Sequence, residues 1–263
     1  MTDDAIFRPR DGSAFSPTSA SVGPWDSGIV HGAAVAALFA NQLAPSDGTL
    51  ARLTVEFLAP VPVTLLHLER GALTGGSRVR RRDAALSADG RIVATARAVV
   101  VRRLELDLPD RARVQESPFD PAALPALDEV NPAAEELVGW PCFDSQSIVV
   151  EPMRPPGDLR SHLWISLAIP VVEGTEVQPV EIAAVAADYA QTAVNRQLSY
   201  ASWSFRNAEM TVHLARDPVG PWIGVRCEGV VQPVGAGFNA ADLYDRCGRM
   251  GRSAASLVVE QRD

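Results

Sequence analysis

Lysine is absent from this 263-residue sequence: all 24 cationic side chains are arginines. Its absence removes lysine chemistry, such as Schiff-base formation or a P-loop lysine. Arginine keeps its charge when half-buried and grips phosphate bidentately, although codon usage in a GC-rich genome accounts for such a bias more simply. Cysteines number three, Cys142, Cys227 and Cys247, with no two separated by only two residues. A disulfide framework or zinc knuckle is therefore unsupported, and a reducing cytoplasm is the expected compartment. No apolar run approaches the roughly 20 residues that span a bilayer. The opening MTDDAIFRPR is acidic before it is basic and lacks an apolar stretch, which reads against a signal peptide. A formal charge of −8 argues against a nucleic-acid binder but leaves room for a local basic patch. GxSxG, GxGxxG and GxxxxGK(S/T) motifs are all missing, so serine-hydrolase, dinucleotide and P-loop readings lack support. Among His31, His67, His162 and His213 none has a partner at ligand spacing, so neither a metal nor a cofactor is expected.

What remains is a globular composition, 47% hydrophobic and 21% charged, carrying an internal echo. Leu53-Thr54-Val55 and the run to Pro60 are echoed by Met210-Thr211-Val212 and the run to Pro218. Asp89-Gly90-Arg91 is echoed by Cys247-Gly248-Arg249. Both echoes share an offset of roughly 157 residues, the size of one ordinary domain. The pattern between them repeats too. Gly32 to Leu43 is rich in Ala and Leu and reads as a helix. Strand-like runs follow at Leu50 to Leu58, Leu65 to Leu73, Val79 to Leu86 and Arg91 to Arg103, with Asp89-Gly90 as a hairpin turn. In the second copy Ile182 to Leu198 reads as the helix, behind Pro179. Strands follow at Ser204 to Ala215, Trp222 to Val231, Phe238 to Tyr244 and Arg249 to Glu260, with one more, Leu159 to Ile169, ahead of the helix. The predicted division is 1–106, a Pro-rich acidic linker 107–141 with one short helix at Ala133 to Val138, and 142–263. Each copy is then an α+β unit, an antiparallel sheet wrapped around a long helix to bury its apolar face.

Local segments carry a family resemblance. Gly23-Pro24-Trp25-Asp26 with His31-Gly32-Ala33-Ala34, and Leu53 to Pro62, resemble the start of the acyl-CoA thioesterase-like family related to bacterial thioesterase II. Ala186-Ala187-Asp188-Tyr189, Met210 to Leu214, Gly220-Pro221-Trp222-Ile223 and Gly251-Arg252-Ser253-Ala254 look like its later segments. The resemblance implies a double hot-dog fold and hydrolysis of fatty acyl-CoA by an activated water, without metal or covalent intermediate. Carried over residue by residue, the catalytic acid is Asp188 on the second helix, and the next polar position falls at Asn207. A third position, a Gln in the family, reads Ala255 here, leaving Ser253 or Ser256 to hold the water.

Thioester hydrolysis needs a water oriented by a carboxylate and a carbonyl polarised by unpaired N–H groups. Gly32 at the mouth of the first helix offers such a helix N-terminus, with His31 beside the substrate, and a fused pair of copies would bring it opposite Asp188. Pattern alone leaves other readings open. Glu181, Asp188, Thr192 and Asn195 also fit a solvated helix stripe, Gly32 a permissive helix start, and Asn207 a structural strand amide. Arg78, Arg80, Arg81 and Arg82 are split between two strand faces and read as solvated rather than as a CoA-phosphate patch. The five tryptophans read as core anchors. Three functions follow: an acyl-CoA thioesterase, an acyl-CoA-binding protein impaired by Ala255, or a small-molecule or assembly role with no thioester ligand. Exposed sheet edges favour a homo-oligomer.

Overall fold

The computed structural model describes residues 3–112, 133–153, 160–199 and 202–262. The elements are β1 (Phe7–Pro9), β2 (Ala14–Pro17), α1 (Gly32–Leu43), β3 (Thr49–Phe57), β4 (Leu66–Arg70), β5 (Thr74–Gly75), β6 (Val79–Ala88) and β7 (Arg91–Val101). After 113–132, which lie outside the described residues, come α2 (Ala133–Val138), α3 (Phe143–Gln146), β8 (Ile148–Met153), β9 (Ser161–Leu167) and α4 (Pro179–Tyr189). β10 (Trp203–Leu214), β11 (Ile223–Gln232), β12 (Ala236–Asp245) and β13 (Gly248–Gln261) complete the chain.

The strands form one antiparallel sheet in the order β1-β2-β4-β6-β7-β3-β10-β13-β12-β11-β9-β8, with β5 paired to β6. Read outward from its centre, each half has the same succession of strands. At that centre β3 pairs with β10, and Thr54 faces Thr211 with their hydroxyls 3.0 Å apart. These two threonines are 157 residues apart, the offset of the sequence echo, so the copies meet about a local two-fold axis. The architecture is a double hot-dog of the α+β class.

α1 is buried on every side from Ala33 to Ala40, and its neighbour α4 from Glu181 to Tyr189. Their surfaces are largely alanine, which lets two helices pack against each other and against the concave sheet in one continuous core. α1 begins and ends where the Ala/Leu run does. The second helix does not: it is regular only to Tyr189 and tightens into a 3-10 helix over Ala190–Arg196. Thr192 turns its hydroxyl back to the Tyr189 carbonyl at 2.8 Å, and Thr, Val and Asn are weak helix formers, so the regular ladder stops early.

Sequence periodicity misses the short outer strands β1, β2 and β8. Both edge strands contain proline, Pro9 in β1 and Pro152 in β8. Proline lacks the ladder donor, so these edges are poorer templates for further strand pairing. The Asp89-Gly90 turn is as expected, with φ of 50° and 75°.

Candidate active site

The helices pack antiparallel, so the last turn of α4 meets the first turn of α1. Asp188, only 2% exposed, lies against Gly32. A Cβ at position 32 would stand 3.2 Å from Asp188 Oδ1 and 3.5 Å from the Phe57 ring. Glycine therefore leaves open the space above the carboxylate. At the other end of the helix pair, Asn41 of α1 donates to Glu181 of α4 at 2.6 Å, and Gln178 N–H donates to the same carboxylate at 2.9 Å. Glu181 and Asp188 are thus both buried, and the solvated-stripe reading fails for them; Asn195 alone of that stripe is exposed.

Asn207 reaches Asp188 through a β-bulge. Between Asn207 and Glu209 the register of β10 against β13 slips by one residue. Met210, Val212 and Leu214 face the core, and regular alternation would point Asn207 outward; the bulge restores it to the inner face, as bulges near sites do. Its Nδ2 donates to Asp188 Oδ1 at 2.7 Å. Asn239 of β12, completely buried, donates in turn to Asn207 Oδ1 at 3.2 Å.

On β13, Ala255 faces inward between Met210 and Asn239. Ser253 shares that face; its Oγ is buried and has no hydrogen-bond partner among the described residues. Ser256 is on the opposite face, where its N–H and hydroxyl both bind Glu209 Oε1 at 2.9 Å. Strand alternation removes it from the site, so the expectation that Ser256 holds the water or touches substrate is corrected here.

His31 caps α1: its Nδ1 accepts from Ala33 N–H at 3.0 Å. Nδ1 is 3.8 Å from Asp188 Oδ2 and Nε2 is 3.8 Å from Asp144 Oδ2, so the ring lies between two carboxylates. It stacks on Phe143 (4.9 Å between centroids) and Tyr189 (5.7 Å), with Trp25 tilted against it at 5.0 Å. Tyr189 donates its hydroxyl to Asp144 Oδ1. The stretch carrying Asp144 is anchored to the approach to α1, through Phe143 N–H to Val22 O at 2.8 Å and Trp140 Nε1 to Gly23 O at 3.1 Å.

Burial pushes the Asp188 carboxyl above the ordinary carboxylate range. The His31 ring, the Asn207 amide and the Ala33 N–H oppose that rise, and the Asp144 carboxylate adds to it. A carboxyl so placed is a better proton acceptor than an exposed one near neutral pH. No group of three or more His, Cys, Asp or Glu side chains is placed to hold a metal ion among the described residues. A surface recess of about 650 Å³ is lined by Arg52, Thr54, Glu56, Asp83 and Arg97, and Asp188 is not part of its lining.

Asp144, Tyr189 and Asn239 escaped sequence reasoning as site residues. Tyr189 adjoins Asp188 in the helix and was legible as its neighbour; Asp144 and Asn239 carried no local motif. Gly32→Ala tests the open space: its methyl meets the Asp188 carboxylate, and kcat/KM should fall roughly tenfold or more, since small misplacements of a reacting group are costly. A Gly32→Ala variant with unchanged kinetics would show that nothing needs that space.

A helix N-terminus from one copy, set over a buried carboxylate from the other inside a double hot-dog, defines a hot-dog protein with a composite polar centre. The chain belongs to the acyl-CoA thioesterase family: the family's N-terminal domain model matches residues 21–102 and its C-terminal domain model residues 109–259. Solved structures share the fold over nearly the whole chain. A proposed thioesterase from Novosphingobium aromaticivorans DSM 12444 is 18% identical, with a TM-score of 0.70 over 96% of this chain and 98% of that one. A hot-dog-fold protein of unknown function from Alicyclobacillus acidocaldarius is 19% identical, with a TM-score of 0.69 over 99% and 97%. A proposed thioesterase II from Thermobifida fusca YX is 16% identical, with a TM-score of 0.69 over 100% and 98%. At such identities the likeness establishes the fold. A search of curated proteins finds no match.

Proposed function

We propose that this protein hydrolyses acyl-CoA thioesters to free acid and CoA, with Asp188 as the general base. The observation that carries the reading is the buried Asp188 carboxylate under the first turn of α1, bonded to Asn207. In the reaction a water oxygen attacks the thioester carbonyl carbon as Asp188 takes one of its protons. The Gly32 N–H, unpaired inside the helix, stabilises the oxyanion, while the next N–H, that of Ala33, is held by His31 Nδ1. The C–S bond then breaks and the CoA thiolate leaves, taking up the proton. His31 and Ser253 line the substrate's approach. Membership of the family supports acyl-CoA as the substrate. No helix of the described residues is long and apolar enough to cross a membrane, and three free cysteines accord with a cytoplasmic location. The division into repeats 1–106 and 142–263 joined by 107–141 is part of the same reading.

Ala255 favours a second reading, an acyl-CoA-binding protein without turnover. Release of free thiol from acyl-CoAs of graded chain length separates the two. Turnover by the wild-type chain supports hydrolysis. A melting temperature that climbs with acyl-CoA concentration, with no thiol released, supports binding alone.

A further inference from the structure

Asn239 lies on no sequence motif, yet it is completely buried and sits directly opposite Ala255 in the β12–β13 pair. The orientation of its amide follows from its neighbours. An ionised carboxylate only accepts, so Asn207 must present Nδ2 to Asp188. Its Oδ1 then faces Asn239, which must answer with Nδ2. The Asn239 Oδ1 is left buried with no hydrogen-bond partner among the described residues. Buried polar groups in folded proteins are almost always satisfied, so an orphan acceptor one amide away from the Asp188 carboxylate calls for an explanation.

The first repeat provides an internal control. Its strands keep the same register: β3 bulges between Leu50 and Arg52 as β10 does between Asn207 and Glu209, and Arg82 faces Ala98 as Asn239 faces Ala255. At the 157-residue offset, Leu50 therefore occupies the place of Asn207 and Arg82 that of Asn239. The same backbone is built without either amide in the copy that lacks an Asp188 counterpart bonded to a strand amide.

We propose that Asn239 is a positioning residue that supplies, from the neighbouring strand, the amide that position 255 lacks. It locks the Asn207 side chain in the one orientation that donates to the ionised Asp188. This rests on the hydrolase reading above, but part of its test does not. In the thiol-release assay, Asn239→Ala should lower kcat roughly 10- to 100-fold with KM little changed, the scale of losing alignment at a reacting group. The acid limb of its pH profile should move to higher pH, because an amide free to rotate no longer favours the carboxylate. Adding Ala255→Gln to Asn239→Ala should restore most of the lost rate, while Ala255→Gln alone should gain little. Asn239→Ser, checked by circular dichroism, replaces the alanine variant where that one does not fold. The proposal is overturned if Asn239→Ala keeps the wild-type rate and pH profile, or if Ala255→Gln alone raises the rate while Asn239 is indifferent. If the wild-type chain releases no thiol from any acyl-CoA, the hydrolase reading falls. Titration of the Asp188 carboxyl by infrared difference spectroscopy still decides the positioning claim. A carboxyl that titrates at higher pH in Asn239→Ala upholds it, and one that titrates as in the wild type overturns it.

Discussion

Asp188→Asn should abolish thioester hydrolysis and, at neutral pH, raise the melting temperature. The loss follows from removing the proposed base: general-base catalysis contributes about 10²- to 10⁴-fold, and an amide of the same shape cannot take the proton. The gain in stability follows from burial. Desolvation raises the Asp188 carboxyl pKa above its unfolded value, so the folded state holds that proton more tightly than the unfolded chain does. Stability from a raised carboxyl is fully present below the ordinary carboxylate pKa and drains away as pH rises through the folded value. At neutral pH the wild-type protein therefore carries an ionised group in a site that disfavours its charge. Asparagine keeps the van der Waals shape without that charge. The melting-temperature difference between variant and wild type should be largest at neutral pH and shrink on acidification. A variant less stable than wild type at pH 7 would mean that the contacts to His31 and Asn207 outweigh desolvation. For the same reason, the wild-type rate should rise with pH through a value above that of an exposed carboxylate and then level off.

Much of the fold was legible because its signals are local. The Ala/Leu run of α1, the Asp89-Gly90 turn and the alternating strands each declare themselves within a dozen residues. The two-fold arrangement was legible as well, since the offset of the echo is the separation of Thr54 from Thr211 at the centre of the sheet. The site was readable only in part. Asp188 and Gly32 were nominated from opposite halves of the chain, and antiparallel packing of α1 on α4 brings them together. Whether a polar helix stripe faces water or a second helix depends on what packs against it, and no single helix encodes that. Asn207 faces inward because of a bulge, and one inserted residue reverses every inference from alternation beyond it. Asn239 gained its place by pairing with β13, and Asp144 by the return of 140–146 onto the approach to α1. Ser256 is different: period-two alternation alone places it opposite Ala255, so its exclusion was available from the sequence.

His31 performs two tasks, and two substitutions should separate them. As the cap of α1 it accepts from Ala33 N–H. As a ring it sits 3.8 Å from both Asp188 and Asp144, stacked on Phe143 and Tyr189, and favours the ionised form of Asp188. His31→Asn keeps a strong cap and removes the ring; His31→Ala removes both. The alanine variant should be less stable than the asparagine variant by about 0.5–2 kcal/mol, the worth of an N-cap side chain, measured by denaturant unfolding. Activity should not follow that order. Both variants lose one of the groups that hold down the Asp188 pKa, so both should show an acid limb of the rate profile at higher pH. Both should turn over more slowly at pH 6, by roughly 3- to 10-fold, because the rate follows the fraction of Asp188 that is ionised. The pairing is informative because a helix cap and an electrostatic neighbour predict different rankings of the same two proteins. If His31→Asn matches wild type in rate and pH profile, the ring serves only to begin the helix. If both variants fall together in rate yet differ in stability, the chemistry at the α1–α4 junction belongs to the imidazole as much as to the carboxylate beneath it.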